Sequence, residues 1–187
     1  MRPGKKQKNF GQGVIFAGIS ICIGLLFLGC AAESLTRTSS DRGLLEQEKV
    51  KKVAVLTFES PRDDPQAGLH ISQLFEMHLL QTGLYQIAER GPVERILKDR
   101  GLDKLSAGDT NVLSQVRDLT QVDAIVLGSV SQYTRANFGF TARLVSLRSG
   151  LILWSISQTG GRVVRPLSQV SDETVQAALR ELQAKIR

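Results

Sequence analysis

Short apolar runs alternate along this chain with longer amphipathic ones. Val53-Ala54-Val55-Leu56-Thr57-Phe58 is apolar almost throughout, which suits a strand buried on both faces. Two prolines around Asp63-Asp64 break that pattern at 60–65. Ile71, Leu74, Phe75, His78 and Leu79 then recur at helical spacing, and Gly83 sits where a left-handed cap closes a helix. A second strand over 84–88 leads through Glu89-Arg90-Gly91 to Pro92, a first-turn residue, and Val93, Ile96 and Leu97 form the inner face of a helix that Gly101 ends. Asp109 or Thr110 can cap a third helix, striped by Val112, Leu113, Val116 and Leu119. Asp123–Val130 reads as another strand covered on both faces. Extended runs over 138–147 and 151–157 flank Ser149-Gly150 as a hairpin. Phe138, Phe140, Ala142 and Leu144 share one face of its first arm. Ile152, Trp154 and Ile156 share a face of the second, opposite Leu151 and Leu153, so Trp154 is expected in the core. A last helix is expected from near Ser171, with Asp172 and Glu173 at the positive end of its dipole and Lys185 and Arg187 at the other. Val175, Ala178, Leu179, Leu182 and Ile186 point inward on it.

Strands alternating with helices, then a hairpin, imply an α/β domain over 51–187 with a mixed five-stranded sheet and flanking helices. Upstream, Ala31 to Gly43 is polar and shows no apolar period, so 30–50 reads as a flexible tether, with at most a helical turn over 44–49. A flexible tether of about 20 residues spans only ~25 Å on average, which favours a partner close to the attachment point.

The N-terminus changes this picture. Arg2, Lys5, Lys6 and Lys8 precede a 15-residue apolar run, Val14–Leu28, and no acid occurs before Glu33. A bilayer-spanning helix needs roughly 20 apolar residues, so the run fits the core of a secretory signal. It closes on Leu28-Gly29-Cys30, which resembles the lipobox of a bacterial lipoprotein signal peptide; Phe27 departs from the aliphatic residue preferred there. The competing readings are an uncleaved anchor and an ordinary cleaved signal. On the lipoprotein reading 1–29 are removed and the Cys30 thiolate takes the lipid, palmitate included. One acyl chain holds a protein marginally; lipoproteins of this kind carry several. Ala31 after the cysteine, in place of aspartate, resembles the sorting pattern of Gram-negative lipoproteins sent to the outer membrane.

Charge and cysteines then narrow the class. The formal charge of +6 falls to +2 once 1–29 are removed, because that segment holds four basic residues and no acid. That balance gives nucleic-acid binding little support. Cys22 and Cys30 are the two cysteines, so the mature domain has no disulfide and relies on its core.

Four stretches in order resemble the CsgG-type family of the curli-secretion lipoprotein: the strand Val53–Phe58; Ile87-Ala88-Glu89-Arg90 with the helix after it; Val122-Asp123-Ala124-Ile125-Val126-Leu127-Gly128-Ser129-Val130; and Arg143-Leu144-Val145 through Ser149-Gly150-Leu151-Ile152-Leu153-Trp154. The resemblance covers about 51–159 and implies a CsgG-like single domain. The channel of that family inserts two membrane hairpins into this domain. Here seven residues separate Tyr133 from Thr141, whereas one barrel strand needs about 9–11. The stretch from Gly160 to Ser171 is too short for the other hairpin. The resemblance therefore points to the smaller relatives: outer-membrane lipoproteins of secretion, flagellar or polysaccharide systems, and lipoprotein activators of peptidoglycan synthases.

Candidate chemistry is sparse. His70 and His78 lie two turns apart on one predicted helix with no cysteine or acidic cluster beside them, so no metal site is assigned, and His78 is expected to pack in the core. Asp63-Asp64 reads as a solvated turn. The chain has no G-x-S-x-G, P-loop or H-E-x-x-H, so neither catalytic residues nor a cofactor nor a small-molecule substrate is expected. Glu89-Arg90 reads as a surface pair at a helix entry or as a polar anchor at a strand end. Tyr133 and Arg135, on a loop expected over 132–137, are interface candidates, with Glu89 and Arg90 at the same sheet edge if the strands run parallel. The resulting expectation is a non-enzymatic assembly or secretion accessory. It is lipid-anchored on the periplasmic face of the outer membrane and binds an envelope protein or further copies of itself. The alternative is an activator docking on a periplasmic peptidoglycan or polysaccharide synthase. Cys30→Ala is expected to abolish labelling by palmitate and to mislocalise the protein; equal labelling of the variant would refute the lipobox reading.

Overall fold

The computed structural model describes residues 35–40, 42–101, 110–135, 137–161 and 165–186; the signal segment and Cys30 lie outside them. In chain order the described elements are β1 (Leu35–Ser40), α1 (Arg42–Glu48), β2 (Lys52–Val55), α2 (Ala67–Thr82), β3 (Gln86–Ala88), α3 (Arg90–Asp99), α4 (Thr110–Thr120), β4 (Ala124–Tyr133), β5 (Asn137–Ser146), β6 (Ile152–Gly161) and α5 (Leu167–Ile186). They form one sheet in the order β1-β6-β5-β4-β2-β3. β2 is parallel to both β3 and β4, and the other pairs are antiparallel. The mixed α/β sheet is the one expected, with six strands instead of five.

The additional strand is β1, which lies in the expected tether. Its alternation of Thr, Arg and Ser offers no apolar face, so hydrophobic periodicity is silent there, yet its backbone pairs with β6 from Leu35↔Thr159 to Ser40↔Trp154. Helix α1 follows, with Leu45 buried and the Ser146 hydroxyl donating to Glu48 at 2.7 Å. Residues 33–187 form one compact unit, so the domain boundary lies well before residue 51.

Burial on both faces explains the apolar runs. Val53, Val55, Ala124 and Val126 face α2 and α5, whose Ile71, Phe75, Leu79, Val175, Leu179 and Leu182 complete the larger core. Ala54, Leu56, Ile125 and Val145 face the other way, onto Val93 and Leu97 of α3 and Leu113 and Val116 of α4. Gly83 closes α2 at φ 66°, its N–H donating to the Leu80 carbonyl. Beyond the reach of α3 and α4, the second face of β5, β6 and β1 stays open: Thr141, Arg143, Arg37 and Ser39 are exposed.

Three expectations on side-chain placement change. A bulge pairs Leu144 with Trp154 but Val145 with Ile152. Leu153 therefore turns into the larger core beside Trp154, while Leu151 and Ile152 are exposed. Leu119 is also exposed, at the C-terminal end of the α4 stripe. Helix α5 begins four residues early, directly after Pro166, so Asp172 and Glu173 fall in its second turn and not at its dipole end. Asp172 instead accepts a hydrogen bond from Nε2 of buried His78 at 2.7 Å, while Nδ1 lies 3.1 Å from Gln81 Oε1.

Trp154 is 1% exposed, with its ring 6.4 Å from that of Phe75. Trp154→Ala is expected to cost about 3–5 kcal/mol, read as a large drop in the urea midpoint; a near-normal midpoint would contradict its core role. Asp123 carries a second expectation. Its carboxylate accepts the amides of Lys51 and Lys52, both at 3.0 Å. Partial burial pushes its pKa up, but those two bonds and the nearby Arg117 and Arg148 outweigh this and hold it below the usual carboxylate value. A depressed folded pKa stabilises above the unfolded value of about 3.9 and loses that contribution as pH falls through the folded one. Asp123→Asn is thus expected to lower stability at pH 7 and to lose less than wild type on acidification, measured by urea unfolding at both pH values.

Candidate functional site

Because β2, β3 and β4 are parallel, their C-terminal ends share one edge of the sheet. The four interface candidates all lie on that side, but they do not form one patch. Ala88 is level with Ala54 and Ile125 in the register, and β4 runs on to Tyr133. At about 3.3 Å per residue, and with one residue taken up by a bulge, the tip of β4 projects ~23 Å beyond the end of β3.

Tyr133 is the last residue of β4, not part of a loop. A register shift between Val130 and Gln132 resets the alternation of β4. Val130 and Tyr133 thereby both point to the larger core despite their odd spacing. The Tyr133 ring is half-buried, edge-on to His70 at 5.9 Å and to Phe138 at 5.9 Å. Burial raises the pKa of its phenol, a hydrogen bond with the Ser171 side chain opposes this, and the Asp64 carboxylate adds to it. Tyr133 is therefore a packed side chain with a polar tip at the surface. Arg135 lies exposed in the turn beyond it, where the Thr134 N–H donates to the Asn137 carbonyl at 2.8 Å.

Glu89 and Arg90 part company. Glu89 is exposed at the extended N-cap of α3, with no capping bond from its side chain. Arg90 turns inward, its side chain 11% exposed. Nη1 donates to Ser72 Oγ at 2.8 Å and Nη2 to Glu76 Oε2 at 2.5 Å, both on α2. The structure thus places Arg90 as an internal tie between two helices, not on the surface. A lone charge there would be costly, and the Glu76 carboxylate offsets part of that cost.

Sequence reasoning passed over the neighbours of Tyr133. His70, Asp64 and Ser171 come together because α2 starts at Ala67 and α5 at Leu167, both earlier than their apolar stripes indicate. The bulge that turns Tyr133 inward has no signature in the residue pattern. A groove of about 420 Å³ on the open sheet face, lined by Arg37, Thr141, Arg143 and Ser157, was also missed. Its signal was present, since the apolar face Phe138-Phe140-Ala142-Leu144 leaves Thr141 and Arg143 on the other side. Among the described residues no three His, Cys, Asp or Glu side chains gather as a metal site. Among those residues, too, no helix is long and apolar enough to cross a membrane.

Residues 51–140 match the family described as curli production assembly/transport component CsgG. No curated protein matches the chain. The fold is similar to that of the PelC dodecamer from Paraburkholderia phytofirmans, with TM-score 0.55 and 19% identity over 81% of this chain and 98% of that one. It is also similar to lipoprotein GNA1162 from Neisseria meningitidis, with TM-score 0.51 and 21% identity over 70% of this chain and 95% of that one. The protein CT253 from Chlamydia trachomatis shares it at TM-score 0.53 and 7% identity, over 73% and 98% of the two chains. The CsgG-like α/β fold read from the sequence is the fold found. The hairpin between β4 and β5 turns directly after Tyr133, leaving no inserted membrane hairpin there, and five residues, 162–166, link β6 to α5.

Proposed function

We propose that this protein is a lipid-anchored accessory of an envelope assembly or secretion complex. It works as a binding module on the periplasmic face of the outer membrane, without catalysis. The observation that carries this reading is the match of residues 51–140 to a family described as an assembly/transport component. The lipobox-like Leu28-Gly29-Cys30 supports the anchor, as does the fold shared with a protein described as a lipoprotein. Another protein of this fold is described as a dodecamer, which supports binding to further copies of the chain as one form of the interaction.

Within the domain, the contact surface proposed is the β4–β5 tip with Arg135 at its centre and the phenol of Tyr133 at its rim. The β4–β5 hairpin presents the arginine while the Tyr133 ring is held by His70 and Phe138. Arginine and tyrosine are enriched at protein interfaces because each combines a large apolar body with directed donors. Glu89 stands apart as a secondary position, and Arg90 serves the fold.

The burial of Tyr133 determines which variants test this surface. Tyr133→Ala would remove core packing, so Arg135→Ala and Tyr133→Phe are the informative changes. Arg135→Ala is expected to keep the thermal midpoint within a degree or two, as exposed substitutions do. It is also expected to weaken in-cell crosslinking, to a partner or to further copies, from a photoreactive residue placed at Asn137. Crosslinking at the wild-type level with an intact fold would place the surface elsewhere.

A further inference from the structure

The described strand nearest to Cys30 in the sequence is held to the sheet with no described side chain in either core. β1 is an edge strand, paired on one side only, with β6. Its described side chains, Arg37 to Ser40, are exposed or half-exposed, and none contributes to either core. Its side-chain tie, from the Thr38 hydroxyl to Glu181 of α5, lies in solvent. Two residues later the chain is firmly fixed. Leu45 of α1 is 8% exposed within the larger core, and Glu48 accepts the Ser146 hydroxyl at 2.7 Å.

We infer that β1 is a strap that docks on and leaves the β6 edge, with α1 as the fixed end, and that its release lengthens the leash between lipid and domain. This rests on the reading of Cys30 as the lipid site. Docked, the chain has five residues from Cys30 to Leu35, a reach of at most about 17 Å. Released, it has twelve residues from Cys30 to Arg42, a reach of about 42 Å. The two readings of this segment, a tether by composition and a strand by structure, then describe two states of one device.

The energetics favour exchange between them. Ordering six residues costs backbone entropy on every one, while each ladder bond replaces a bond to water and gains little net. Ordinary strands tip that balance with buried side chains, which Arg37 to Ser40 do not supply. Release leaves Leu153, Trp154 and Ile156 of β6 covered, since they lie in the core with α2 and α5. What it uncovers is the polar backbone edge of β6, which water can satisfy. The cost is therefore local and does not require the domain to unfold.

Hydrogen exchange on residues 30–187 with Cys30→Ser tests the strap without involving the lipid. Amides of β1 are expected to exchange at least ~100-fold faster than those at the centre of β4 and β5, with α1 protected like the core. A second form carries Arg37→Cys and Ser157→Cys, which face each other in the register. Its oxidised disulfide is expected to slow β1 exchange by at least ~10-fold while leaving the rest unchanged. Exchange of β1 as slow as that of β5 would overturn the proposal, and so would α1 exchanging together with β1. Failure of the cysteine pair to oxidise would show that the docked register is not populated, with the same consequence. Palmitate labelling of Cys30 is a separate measurement, so failure of the anchor and failure of the strap are told apart.

Discussion

The close approach at Phe58 holds the strand ends in place. Its ring lies on Gly128, where a Cβ would stand 2.4 Å from ring atoms, and its carbonyl oxygen sits where a Cβ on Gly68 would be 1.9 Å away. Neither position tolerates a side chain without moving backbone or an aromatic ring in a tightly packed core. Because both are glycine, the segment after β2 stays on the sheet: Glu59 donates to Gly128 at 2.9 Å and accepts from Val130 at 2.8 Å. The N–H of Gly68 then meets Ser60 Oγ at 2.9 Å, which starts α2 directly beneath the strand ends. Phe58 also reaches Phe75, with ring centroids 5.2 Å apart. One contact thus sets the position of α2 against the sheet, and through it the placement of His70 beside Tyr133.

Helix α2 then serves as the hub for the polar groups that the fold buries. Arg90 ties α3 to it through Ser72 and Glu76, and His78 ties it to Asp172 of α5. Packing alone would let α2 slide along its apolar stripe, since leucine and isoleucine contacts are non-directional. Hydrogen bonds at two points on α2, one near Ser72 and one at His78, fix rotation and register together. The short edge strand β3, three residues long, is what lets Arg90 reach α2 from a helix that packs on the other face.

What the sequence made legible follows from which forces leave a periodic trace. Burial on both faces wrote the β2 and β4 runs as unbroken apolar stretches, and half-burial wrote the Phe138–Leu144 alternation. The order of these elements was enough to indicate a mixed α/β sheet, and the resemblance of four motifs supplied the rest. β1 left no trace, because a strand held by its backbone ladder and the Thr38 contact with Glu181 needs no apolar alternation. The two bulges left none either, and each reversed a local expectation: Leu153 went inward and Ile152 outward, and Tyr133 joined the core. For Arg90 the sequence leaves a surface pair and a polar anchor both open, because its partners, Ser72 and Glu76, are more than a dozen residues away and carry no mutual spacing rule. Of the interface candidates, Arg135 and Glu89 are exposed, Tyr133 is half-buried and Arg90 is internal, a sorting that tertiary contacts decide and composition does not.

The β4–β5 tip shows why this scaffold can vary at that point. Up to the Glu59 and Ser129 bridge, β4 is flanked on both sides, by β2 and by β5. Beyond the bulge it pairs with β5 alone, and the hairpin leans on the starts of α2 and α5 through Tyr133, His70 and Ser171. Length added past Tyr133 would therefore disturb neither β2 nor the core around Phe58. The decoupling supplies a physical reason that this turn can differ in length without disturbing the rest of the domain. Here the turn is tight, and the half-buried Tyr133 closes the end of the core that a longer hairpin would otherwise have to cover.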